Sequence, residues 1–242
     1  VASGSAPASV DPAVEPLLAT GDVDWISRAQ TGIADREYEA SQNGEGLQAP
    51  NRRHNLRTYF EASGIRVRDR TAPGSSILLG LSLVGVGRGG ALAPVPPGDG
   101  VAEGARIEIR RPKLIEWYVN SPRGLEQGFT LLERPQGKGA LALELAVEGA
   151  STSLRGGRVV FVTVAGRRLA YGKLAVVDAA GREVRAQLEV PNTGRLRIVL
   201  EDEFATYPVI VDPLLTETDD TNLESSQSNS FPGISVSGAG DV

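Results

Sequence analysis

No cysteine and no methionine occur in this 242-residue sequence, and histidine occurs once. The first absence removes disulfides, thiolate metal sites and cysteine nucleophiles, and leaves the redox compartment open. With a single imidazole, any triad or imidazole metal site must be built around His54. His54 lies in NRRHNLR, where neighbouring arginines disfavour its protonated form and repel a cation, so it reads as a surface or turn-capping residue. No run of about 18 apolar residues is present, so no helical segment spans a bilayer. The missing methionine includes the initiator. The chain begins VASGSAPASV, and small residues of this kind are what a signal-peptide cut leaves, so a removed leader or a fragment is expected, and export with it.

Charge of either sign is scarce in net terms, at -5, and unevenly placed. Glu217, Asp219, Asp220, Glu224 and Asp241 lie in residues 215–242 without any Lys or Arg, which leaves the body with 25 acids against 25 bases. A neutral body offers no footprint for a phosphate backbone, which argues against nucleic acid as a partner. The basic clusters NRRHNLR (51–57) and RIEIRRPK (106–113) read as solvated strand faces.

What is abundant is glycine, 29 residues, and alternation. LALELAVEG (141–149) places Leu141, Leu143, Leu145 and Val147 on one side and Glu144 and Glu148 on the other, the pattern of a half-buried antiparallel strand. RIEIR (106–110), LIEWYVN (114–120), RVVFVTV (158–164), REVRAQLEV (182–190) and RLRIVL (195–200) behave alike, and DAAG (178–181) and PNTG (191–194) read as hairpin turns with glycine last. These signals predict an all-β fold, an antiparallel β-sandwich of two lobes, 22–135 and 136–215, meeting near residue 135. One short helix is expected in WISRAQTGIADREYEA, where Trp25, Ile26, Ala29 and Ile33 share a face behind Asp22 and Asp24. The Ala, Ser and Pro-rich residues 1–21 read as an extended arm, and 216–242 as an acidic linker or an exchanged strand. GRGGALAPVPPGDG (87–100) reads as the longest loop of the body.

Four constellations invite a chemical reading. GVGRGG (85–90) matches a dinucleotide fingerprint, but the prolines of ALAPVPPGDG cannot open the helix that would receive a pyrophosphate, so it reads as a glycine-rich turn. The acid pairs Glu116 with Glu126 and Asp202 with Asp212 suit glycoside hydrolysis only if the fold converges them. Glu116 is expected on the polar face of its strand, as a solvated acid. EWYVNSPRGLEQGFTL (116–131) either forms a sugar or peptide surface from Trp117, Tyr118, Asn120 and Gln127, or is a hairpin turning at SPRG, with Trp117 and Phe129 in the core and the two amides satisfying backbone groups.

NRRHNLRTYFEASGIRVRDR, RIEIRRPKLIEWYVNSPRGLEQGFTL and YPVIVDPLL together resemble the β-rich N-terminal module of large exported bacterial proteins that carry FG-GAP, integrin-alpha-like repeats. The similarity runs in order over roughly residues 22–242. It implies that LESSQSNSFPGISVSGAGDV is similar to the opening of a first repeat, whose acidic glycine loop binds calcium in a propeller, with Asp241 at the first ligand position. It implies calcium only if such repeats follow, and no catalytic residue. The expectation is therefore a non-catalytic, secreted or cell-surface structural protein. Such a building block is expected to join other copies of itself into a filament by exchanged terminal segments anchored on Phe231, Ile234 and Val236. The alternative is a module for a surface glycan or protein ligand, preceding a calcium propeller.

Overall fold

The computed structural model describes residues 37–72, 74 and 76–217. The expected arm, the expected helix, Phe231, Ile234, Val236 and Asp241 lie outside the described residues. The described chain is all strand and turn, as the period-two pattern requires. In order the strands are β1 (Ser41–Asn43), β2 (Gly46–Asn51), β3 (Leu56–Glu61), β4 (Gly64–Asp69), β5 (Ile77–Arg88), β6 (Ala91–Pro94), β7 (Asp99–Glu103), β8 (Arg106–Arg111) and β9 (Leu114–Ser121). They continue as β10 (Gly124–Leu131), β11 (Leu141–Glu148), β12 (Ala150–Arg155), β13 (Arg158–Thr163), β14 (Arg168–Asp178), β15 (Ala186–Asn192), β16 (Arg195–Leu200) and β17 (Val209–Glu217).

These strands form two antiparallel sheets arranged as a sandwich. The first runs β1-β2-β3-β4-β5-β11-β16-β15, with β6 on β5 beyond the end of β4, and the second runs β12-β13-β14-β17-β10-β9-β8-β7. The topology explains both the sense and the limit of the two-lobe expectation. Strands β1 to β10 make one half of each sheet and β11 to β17 the other half, and the segment joining the halves contains residue 135. Each sheet is nevertheless hydrogen-bonded across that division, through β5 with β11 in one and β10 with β17 in the other. Residues from both halves share one core, with Leu79, Ile107, Phe129, Leu143, Phe161, Ile198 and Val211 all buried. The halves are thus one folding unit rather than separable lobes.

LALELAVEG does what its alternation predicts: Leu141, Leu143, Leu145 and Val147 are buried, while Glu144 meets Arg197 at 2.6 Å on the other side. The DAAG turn also forms. The Asp178 carboxylate accepts from the backbone N–H groups of Thr206, Ala180 and Arg182, which holds its carboxyl well below the ordinary range. In PNTG, Thr193 and Gly194 link β15 to β16, but Gly194 stays outside the left-handed region and Asn192 Oδ1 accepts its N–H at 3.0 Å instead. REVRAQLEV is shorter as a strand than expected, starting at Ala186, because Glu183 and Val184 are held back on the end of β14. GRGGALAPVPPGDG is not a loop. Gly89 and Gly90, at φ 55 and 87, close a two-residue hairpin between β5 and β6, and β7 begins at Asp99. The glycines of GVGRGG therefore serve strand and turn, as their proline-rich sequel suggests.

Candidate functional site

EWYVNSPRGLEQGFTL is the β9–β10 hairpin, turning at Pro122 and Arg123. None of its four candidate ligand residues is exposed. Tyr118, Asn120 and Gln127 point into the sandwich and are buried, whereas Trp117 lies on the opposite, outer face. Trp117 is also covered: its ring lies on Gly128, its Nε1–H donates to Thr130 Oγ1 at 3.2 Å, and the Arg106 guanidinium stands 4.8 Å from the ring centroid. A Cβ at Gly128 would sit 2.0 Å from Trp117 Cζ2. Gly128→Ala should cost about 1–3 kcal/mol as overpacking and lift the indole off the sheet. In a Trp25→Phe background Trp117 is the sole indole, so a red-shifted emission reads this directly; unchanged emission and an unchanged melt would contradict the packing.

Asn120 satisfies backbone groups as expected, donating from Nδ2 to Pro50 O at 2.8 Å and to Tyr38 O at 3.0 Å, while its Oδ1 accepts from Asn51 Nδ2. Gln127 serves side chains instead. Its Nε2 donates to Glu116 Oε1 at 2.8 Å and to Tyr118 OH at 3.1 Å, and its Oε1 accepts from Tyr171 OH at 2.8 Å.

Glu116 corrects the sequence reading most sharply. It is not a solvated acid: it points into the core with Leu114, Tyr118 and Asn120, at 0% exposure. Arg111 Nη1 donates to Glu116 Oε2 at 2.7 Å, and the Tyr118 hydroxyl donates to Oε1. Arg111 is in turn used up, donating from Nε to Pro96 O at 2.9 Å and from Nη2 to Ala62 O at 3.1 Å, so it ties the two sheets together. Burial pushes the Glu116 carboxyl above its ordinary range, against the opposing pull of Arg111. The Tyr118 and Tyr171 hydroxyls are raised well above theirs by burial and then by the charge of Glu116. RIEIRRPK accordingly divides: Arg106 and Arg110 flank Glu108 on the outer face, as a solvated strand face should, while Arg111 turns inward.

Neither acid pair converges. Glu126 is on the outer face, paired with Arg123 at 2.6 Å, so Glu116 and Glu126 are separated by the sheet itself. Asp202 is a buried anion rather than a solvated one. Arg88 grips it with two parallel bonds, Nη1 to Oδ1 at 2.8 Å and Nη2 to Oδ2 at 2.5 Å, and the Tyr207 hydroxyl donates to Oδ2. Burial opposes but does not overcome the Arg88 and Tyr207 bonds, and the Asp202 carboxyl lies below its ordinary range. Asp212 belongs electrostatically with Glu126: burial raises its carboxyl and the Glu126 charge raises it further. That neighbourhood arises from β10–β17 pairing, for which the sequence carries no local signal. His54 takes the expected turn role, with its N–H on Asn51 Oδ1 and its Nε2 3.2 Å from Pro122 O.

The feature that sequence reasoning missed is a cleft of about 390 Å³ where the sheets part at one end. Val86, Val95, Leu114, Leu131 and Pro135 supply apolar walls, and Arg111 lies at its inner side. Lys113 and Glu133 form an ion pair beside it, and Lys113 holds φ 67, a left-handed conformation that favours glycine. The volume suits one small apolar or aromatic group. Among the described residues, no group of three or more His, Asp or Glu side chains is placed to hold a metal ion. In comparisons with known proteins, no family model matches the chain, and no curated protein gives a significant match.

Proposed function

We propose that this chain is a non-catalytic β-sandwich module of an exported bacterial protein, a structural unit of a cell-surface or extracellular assembly whose copies join through terminal segments. The observation that supports the non-catalytic part is that Glu116 and Asp202 are consumed by arginines inside the fold, and that Glu126 stands on the far side of a sheet from Glu116. Both carboxylates are buried, and both oxygens of each already accept from protein donors. Assembly through the termini is supported by the acidic, apolar-spaced sequence of residues 218–242. The test is sedimentation velocity and negative-stain microscopy of the full chain beside a form lacking 218–242. Particles larger than a monomer that disappear with the segment are expected; identical monomers in both samples would overturn the assembly.

A second reading, a ligand-binding module ahead of a calcium-binding FG-GAP propeller, is favoured by the apolar cleft beside Lys113. On that reading Val95→Trp fills the cleft and abolishes binding of small aromatic probes followed by methyl NMR shifts of Val86 and Leu131. Probe shifts that persist in the filled variant would remove the reading.

A further inference from the structure

The terminal strands β12 and β15, one from each sheet, meet at one point and then separate. They touch where the Thr152 hydroxyl reaches Asn192 O at 3.3 Å and Thr193 O, just past β15, at 3.0 Å. Beyond that contact they enclose an open cleft of about 640 Å³, with Leu154 and the Gly156–Gly157 turn on the β12 side, Ala186 and Leu188 on the β15 side, and Leu174 between. Leu154 faces this space and is 49% exposed. Both walls are edge strands, each with one row of backbone groups not bonded to a further strand of its sheet.

The charges around the cleft are unbalanced in a way the fold does not require. Arg155 and Arg158 are directly paired across β12 and β13, a juxtaposition that costs stability in a sheet. Arg158 lies across Gly172, where a Cβ would meet its Cγ at 2.6 Å, and this brings it beside Lys173. Lys173 sits in a bulge of β14 at φ 53, a strained position for a side-chain-bearing residue. Most arginines of the sandwich have a carboxylate partner, yet Arg155, Arg158 and Lys173 make no ion pair among the described residues. The nearest acid on β15, Glu189, accepts from Gln187 Nε2 instead. At the opposite end of the second sheet, the acids of the exposed β7 edge, Asp99 and Glu103, stand opposite Arg110 and Arg106 of β8, so that edge has the balance the β12 edge lacks.

We propose that the β12–β15 cleft is the acceptor for residues 218–242 of a second copy of this chain, which lie along the free edge as an added strand. The segment complements the cleft in charge, with Asp219, Asp220, Glu224 and Asp241 and no Lys or Arg, and it supplies Leu223, Phe231, Ile234 and Val236 for the Leu154–Leu174–Leu188 walls. This inference rests on the assembly reading above and adds the site of contact.

Because the chain has no cysteine, the contact can be read by disulfide trapping in the full-length protein. Leu154→Cys and Val236→Cys are made separately and mixed under mild oxidation, and the doubly substituted chain is oxidised alone. Cross-linked pairs between the two single variants are expected. Their yield should fall at least about tenfold when Arg155, Arg158 and Lys173 are changed to Glu, a loss in the range of a few rim ion pairs, and should fall in high salt. Trapping only within monomers of the double variant assigns the cleft to the chain's own segment and overturns the proposal. So does an assembly that needs residues 218–242 but gives no link to Leu154→Cys; that result leaves the assembly reading intact and moves its acceptor elsewhere. Monomers throughout the sedimentation test remove the assembly reading itself.

Discussion

Replacing Arg111 with methionine should lower the unfolding free energy by about 3–5 kcal/mol, seen as a shift of the urea midpoint at unchanged slope. The size follows from what is left behind. With Arg111 gone, Glu116 keeps its bonds from Tyr118 and Gln127 but remains a carboxylate at 0% exposure without a counter-charge. Its already raised carboxyl must then rise further and take a proton, or the core must open to water. The carbonyl of Pro96 loses the Arg111 donor as well, and that of Ala62 keeps only the Gly98 N–H. Removing both charges, as Arg111→Met with Glu116→Leu, should recover most of the loss, because a well-packed apolar pair substitutes for a buried ion pair at little cost. A single variant that melts with the parent would mean that the pair contributes nothing and that Glu116 is already neutral.

This pair also marks where the sequence stops being informative. The class of fold was legible because period two is a property of each strand alone, and LALELAVEG has one apolar phase and one polar phase. LIEWYVN has two mixed phases, Leu114, Glu116, Tyr118 and Asn120 against Ile115, Trp117 and Val119. Hydropathy favours turning the second set inward, and the fold turns the first inward. What decides it is the Arg111 counter-charge from the neighbouring strand β8 and the Gln127 amide from β10 on the Glu116 carboxylate, with Tyr171 of β14 bonding Gln127 in turn. The amides of Asn120 and Gln127 were readable as structural, since a hairpin turn lies between them, but the partners of Gln127 were not. The order of strands was hidden for the same reason. Hairpins are local, whereas the β5–β11 and β10–β17 pairings that fuse the two halves depend on chain segments meeting over long separations. The 390 Å³ cleft, lined by segments far apart in sequence at the ends of β5, β6 and β10 and at the β8–β9 turn, had no local pattern to betray it.

Asp202→Ala is expected to cost a similar amount, about 3–5 kcal/mol, for a reason that lies in the junction between the halves. Arg88 ends β5 in the first half, and Asp202 follows β16 in the second, 114 residues on. The guanidinium also donates to Pro135 O at 2.8 Å and Gly139 O at 2.9 Å, so one buried arginine pins the segment that links the halves to the end of both. Without Asp202 that cation is buried and unpaired, and Arg134, which stacks on Tyr207 and lies 3.5 Å from Asp202, keeps its bonds to Glu203 O and Ala205 O but loses its counter-charge. The acid limb of stability gives an independent readout. The folded Asp202 carboxyl lies below its ordinary value, so its contribution is complete above the unfolded pKa of about 3.9 and disappears as pH falls through the folded value. Glu116 has the opposite sign: its folded carboxyl is raised, so it takes stability away as pH climbs from the unfolded value toward the folded one. Urea melts from pH 7 down to pH 2 should therefore show the parent losing stability more steeply below about pH 4 than Asp202→Ala does, the two curves converging in acid. Parallel curves would mean that Asp202 is not held as an anion by Arg88, and the junction would have to be secured by its apolar contacts alone.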